Sequence, residues 1–169
     1  MKRVILSLFA LLALSAHAQK VDVKVDDFTG EKVITTDWER IYSGGATGKN
    51  QTRTRFRHEN GKDYMEFRIF TNRVTSVKEG ANILLKTTDG MVTLESNEYS
   101  ITEPGAWHPS GINNNLGIYI ICVGDMSELK DNSVTKIRVY YSDGYHDIDI
   151  KGKDAQTINK LYNAFINSK

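Results

Sequence analysis

Between Val21 and Ile150 apolar and polar residues alternate with period two in one segment after another, the pattern of half-buried β-strands. Three of these segments are interrupted by Asn-Gly or Asp-Gly, a strong short-range signal for a two-residue hairpin turn. A turn at Asn60-Gly61 pairs Phe56 with Met65, Thr54 with Phe67 and Thr52 with Ile69 on one face. It pairs Arg57 with Tyr64, Arg55 with Glu66 and Arg53 with Arg68 on the other. Apolar and charged sets separate cleanly, and a one-residue slip would mix them. A turn at Asp89-Gly90 gathers Ile83, Leu85, Thr87, Val92 and Leu94 on one face. A turn at Asp143-Gly144 gathers Ile137, Val139, Tyr141, His146, Ile148 and Ile150, and sets Arg138 opposite Asp149 and Tyr140 opposite Asp147.

Val21 to Val25 also alternates and is followed by a turn at Asp26–Gly30. Val33 to Tyr42 is a β-rich segment that holds Trp38. Leu116 to Val123 is apolar on both faces and reads as a central strand covered on both sides. Gly124 to Asn132 has room for one short helical turn. The period then changes. Ile158, Leu161, Tyr162, Phe165 and Ile166 recur at helix spacing, which predicts an amphipathic helix over about 154–167 with Asp154 as its cap. Such a helix is too short to stand alone and should dock on the sheet. The expected fold is mainly β: an antiparallel sandwich or one strongly curved sheet, built from hairpins, with the C-terminal helix packed on it.

The N-terminus breaks the pattern differently. Lys2 and Arg3 precede an apolar run, Val4 to Leu14, and Ala16-His17-Ala18 offers small residues at the positions a signal peptidase reads. Residues 1–18 therefore read as a cleaved secretory signal, with 19–169 as a single β-rich domain, and the protein is expected to be exported to a periplasm or the extracellular space. Without the signal, 20 basic residues stand against 21 acidic ones, so no global field favours nucleic acid or an anionic membrane. No later stretch reaches membrane length. Cys122 is the only cysteine, so no internal disulfide can form, and export without disulfides fits a bacterial envelope.

Candidate chemistry is sparse. Gly44 to Asn50 resembles a phosphate loop only loosely, since Ser43 and Asn50 stand where glycine and a hydroxyl residue are needed and a strand follows. His58, His108 and His146 share no ligand spacing, so neither metal nor cofactor is expected. No nucleophile motif accompanies His108 and Ser110, and no catalytic residue is assigned. Two candidate ligand sites remain. Arg53, Arg55, Arg57 and Arg68 make a basic stripe beside Tyr64, suited to carboxylates, sulfates or phosphates, with Glu66 partly neutralising it. The segment Glu103 to Asn115, stiffened by Pro104 and Pro109, carries Trp107, His108 and Asn113. Trp107 there either stacks on a ligand or folds back as a lid over the core. The function these features favour is a non-enzymatic ligand- or partner-binding or accessory module in the bacterial envelope, its partner a protein or glycan. The alternatives are a secreted hydrolase of wall or polysaccharide material and a subunit of a surface assembly. Mass spectrometry of secreted protein should find Gln19 at or near the N-terminus, and retention of Met1 would overturn the signal assignment.

Overall fold

A computed structural model of the protein describes residues 21–44, 50–71, 73–104 and 116–169. Its architecture grows from the first hairpin. Strands β4 (Asn50–Glu59) and β5 (Lys62–Thr71) pair Phe56 with Met65, Thr54 with Phe67 and Thr52 with Ile69, as their alternation demands. Asn60 and Gly61 both take positive φ, 52° and 70°, the conformation a type I′ turn requires.

The other two hairpins turn one residue earlier than predicted. Between β7 (Asn82–Thr87) and β8 (Met91–Ser96), Lys86 faces Met91 and the Thr87 N–H donates to the Gly90 carbonyl at 3.0 Å, so Thr88-Asp89 forms the turn. Between β12 (Val134–Tyr141) and β13 (Gly144–Asp149), Tyr141 faces Gly144 and Ser142-Asp143 forms the turn. The expected partners change with it. Arg138 pairs with Asp147 rather than Asp149, Tyr140 with Tyr145, and His146 lies opposite Val139. None of the four turn residues has positive φ, which excludes type I′. Asp-Gly also suits the last two positions of a four-residue turn whose central residues keep negative φ, and Asp89-Gly90 and Asp143-Gly144 hold those positions. The shift moves each partner by two residues, so the inward and outward faces survive.

The remaining strands are β1 (Val21–Val25), β2 (Lys32–Thr36), β3 (Glu39–Gly44), β6 (Ser76–Val77), β9 (Ser100–Ile101), β10 (Glu103–Pro104) and β11 (Leu116–Val123). Every pairing is antiparallel. The main sheet runs β1-β2-β4-β5-β11-β8-β7-β12-β13, with β3 beside β4 and β10 beside β11, while β6 and β9 pair separately. β11 pairs with β5 from Leu116 to Cys122 but with β8 only at Cys122 and Val123, so the two halves of the sheet meet at this short joint. Gly124 follows at φ 149°, and a Cβ there would come within 2.9 Å of Leu94 Cδ2 and 3.0 Å of the Thr93 carbonyl. Side chains from both halves enter one core, including Phe56, Phe67, Ile120, Leu85, Leu94 and Val139. One face of β11 is buried and the other only partly so, which differs from the double burial expected.

The C-terminal helix α1 (Thr157–Ile166) is shorter than predicted. Gly152–Gln156 forms a preceding 3₁₀ turn that contains Asp154, and Gln156 occupies the cap position without a side-chain cap bond. Ile158, Leu161, Tyr162 and Phe165 are buried, with Ile166 half-buried at the edge of the stripe. The Phe56 ring lies 5.2 Å from Tyr162 and 5.6 Å from Phe165. On the helix flank, Asn159 Nδ2 donates to the carbonyls of Leu129 and Lys130, and Asn163 Nδ2 donates to that of Lys130. These bonds occupy carbonyls at the end of the 3₁₀ turn Ser127–Lys130, the short helical turn expected between Gly124 and Asn132. No helix among the described residues is long and apolar enough to cross a membrane. Cys122 is fully buried, and that burial pushes its thiol pKa well up. Because Leu161 is fully enclosed, Leu161→Ala should lower stability by about 2–5 kcal/mol in a denaturant titration; an unchanged midpoint would show that the helix is not docked.

Candidate functional site

The outward face of β3, β4, β5 and β11 concentrates charge and aromatic surface. Strand alternation turns Arg53, Arg55 and Arg57 away from the core because Thr52, Thr54 and Phe56 turn into it. Pairing then aligns three rows across the strands. The first is Arg40, Arg53, Arg68 and Tyr119; the second is Arg55, Glu66 and Ile121; the third is Thr35, Arg57 and Tyr64.

Glu66 is fully buried beneath this face. Its two carboxylate oxygens accept from Arg55 Nε and Arg57 Nε, each at 2.5 Å. Arg57 also pairs with Glu59 and lies 4.8 Å over the Tyr64 ring. The carboxylate thus fixes two guanidinium groups whose side chains are still about a quarter exposed. Tyr119 completes the cluster. Burial, followed by the hydrogen bond to Glu66 and that residue's charge, pushes its hydroxyl pKa up to about 12.

Trp38 sits over the same face. Arg68 stacks 4.1 Å and Arg55 4.6 Å from its ring centroid, and Tyr119 meets it edge-on at 6.1 Å. The continuous strand phase of Val33–Tyr42 would send Trp38 into the core with Ile34 and Thr36. The segment instead breaks at Asp37-Trp38 into β2 and β3. Ile34 and Thr36 are buried before the break and Ile41 after it, so the inward phase moves from even to odd positions. Thr36 Oγ1 accepts from the Phe56 N–H at 2.9 Å and closes the gap in backbone pairing. That phase change was present in the sequence and would have marked Trp38. Tyr119 and Arg40 carried no such signal, because their place depends on pairings between distant strands.

The structure therefore brings Arg53, Arg55, Arg57 and Arg68 together as predicted and adds Trp38 and Tyr119, with Arg40 opposite Arg53 in the edge strand and also lining a hollow with Lys153, Asp154, Thr157 and Lys160. Trp107, His108 and Asn113 lie outside the described residues. His58 bonds Asp63 through Nδ1 at 2.7 Å, but Asp63 also holds Lys169. Burial would raise the Asp63 pKa; the Lys169 ammonium and His58 overcome this and set it below the ordinary range. The trio clamps the end of the chain to the first hairpin, with Lys32 Nζ donating nearby to the carbonyls of Ser168 and Lys169. His146 is exposed at the rim of a cavity of about 330 Å³ between the ends of β4, β5, β12 and β13, also lined by Tyr42, Ile69, Phe70, Arg73 and Tyr141. Among the described residues no three His, Cys, Asp or Glu side chains gather in a geometry able to hold a metal. No protein-family model, curated protein or solved structure matches the chain.

Replacing Glu66 by Gln should lower stability by about 3 kcal/mol, the low end for a broken buried pair because both arginines reach solvent. A urea titration with an unchanged midpoint would show that the carboxylate does not organise the face.

Proposed function

We propose that the protein is an exported, non-enzymatic binding module of a bacterial envelope. Its ligand is the anionic part of a protein or glycan: carboxylate, sulfate or phosphate groups presented to the cationic–aromatic face. The observation that carries this reading is the first row, in which Arg40, Arg53 and Arg68 stand directly across adjacent strands. Like charges in such positions oppose sheet formation. The carboxylate beneath the face is engaged by Arg55 and Arg57 in the neighbouring rows. Burial and then the nearby Arg55 charge lower the pKa of Arg68, against the opposing pull of Tyr119 and Glu66. An anion laid along the row would relieve that repulsion, and arginine forks are shaped to receive it. Trp38 and Tyr119 add flat surface at the end of the row.

The hydrolase alternative depends on groups near His108, which lie outside the described residues, and the His58–Asp63 contact supports the terminal clamp instead. Titration with a sulfated polysaccharide and with polyglutamate at low salt should give saturable binding to at least one of them, weakening as salt rises. Arg53→Gln and Arg68→Gln should each weaken it by about 10-fold or more, the loss of one charge-assisted contact, with Arg53→Gln leaving the melting temperature nearly unchanged. Failure of both ligands to bind, or binding indifferent to both substitutions, would remove this reading.

A further inference from the structure

Strand β1 ends the sheet, and among the described residues it pairs only with β2. Its sequence, Val21-Asp22-Val23-Lys24-Val25, is symmetric in polarity about Val23 and antisymmetric in charge. Val23 and Val25 are 45% and 63% exposed, on the same face as Ile34. Asp22 and Lys24 project from the opposite face and pair with each other at 2.7 Å within the strand, both largely in solvent. The strand has no proline or bulge, and its two charges are of opposite sign, so against a copy of itself they attract rather than repel.

We propose that β1 is the interface of a homodimer, formed by antiparallel pairing of β1 with the same strand of a second copy about a two-fold axis at Val23. In this register Val21 meets the partner's Val25 and Val23 meets the partner's Val23. Asp22 meets the partner's Lys24, and Lys24 meets the partner's Asp22. The arrangement is isologous and closes on itself, so it ends at two copies. It is also the register that charge selects. Slips that keep valines together set Asp22 against the partner's Asp22 or Lys24 against the partner's Lys24, and the remaining slips send valines to the charged face. Charge complementarity of the strand with its own copy is what favours a second copy over a foreign chain as the occupant.

Sedimentation equilibrium of the purified protein over micromolar to millimolar concentrations tests this. The wild type should show a monomer–dimer equilibrium. Asp22→Lys and Lys24→Asp should each weaken self-association by at least about tenfold, because each replaces two attractive cross-strand pairs with two repulsive ones. Mixing the two single variants in equal amounts should restore a dimer, since one chain then carries lysine at both positions and the other aspartate. The double variant D22K/K24D should also dimerise. Circular dichroism should show all variants folded, both side chains being exposed. A wild type that stays monomeric to millimolar concentration, single variants that associate as tightly as wild type, or a mixture of folded variants that fails to associate would each overturn the proposal.

Discussion

Phe56, fully buried against Tyr162 and Phe165 of the C-terminal helix, sets the phase of β4, and most of the molecule follows from that phase. β4 is the strand on which β2, β3 and β5 all pair. With Phe56 inward, Thr52 and Thr54 must also face the core and Arg53, Arg55 and Arg57 must face out. A slip of one residue would bury three guanidinium groups and expose the aromatic anchor of α1, so the core and the cationic face are two consequences of one register. Glu66 strengthens this coupling, since its buried carboxylate is tolerable only while Arg55 and Arg57 stand over it.

Local alternation was therefore a reliable guide wherever one face had to be buried. It located the first hairpin, its register, the inward set of every hairpin except for His146, which is exposed, and the apolar stripe of the helix. It was weaker on turn chemistry. Asn60-Gly61 places two residues at positive φ, and Asn tolerates this better than most side chains. Asp-Gly served equally well as the last two residues of a turn with no positive φ at its centre, and the surrounding alternation is indifferent to the choice because both registers keep the same faces. Only the cross-strand partners record the difference, as in the Arg138–Asp147 fork at 2.6 and 2.7 Å. The start of α1 was misplaced for a similar reason. Asp154 resembles a cap, but Gly152 at φ 59° begins a tighter turn, and the regular helix starts only at Thr157.

The candidate site was half legible. Four arginines on one face could be read from a single hairpin, because their neighbours are local. Their setting could not, because Trp38 arrives from a break between β2 and β3, Arg40 from β3 and Tyr119 from β11. Glu66 was read as a surface charge that dilutes the basic stripe. In the fold it lies under the stripe, and its effect is to hold two guanidinium groups in place. Such a group adds little to surface neutralisation and more to preorganisation, which in the proposed binding role would lower the entropy lost on taking up an anion.

The outward face also extends beyond β4. Asp22 lies opposite Thr35, Thr35 opposite Arg57, and Arg57 opposite Tyr64, so the charged side of β1 and the cationic cluster belong to one surface. In a dimer paired through β1 the sheets of the two copies become continuous, and both arginine rows lie on the same side. The path from β4 through β2 and β1 to the partner's corresponding strands crosses five interstrand gaps, about 24 Å at ordinary strand spacing. Arg53 also lies five residues along β4 from His58, which is level with Val23 through Ile34, so the two-fold displaces the rows by about 33 Å along the strands and sets them about 40 Å apart before twist. Two sites at that separation suit a ligand whose anionic groups repeat along a chain. A polyanion held at one row would find the second at high effective concentration, so modest affinity at each row becomes tighter binding for the pair. In the proposed assembly a polyanion would lie against Arg40, Arg53 and Arg68 of both copies while the paired β1 strands cover each other's edge.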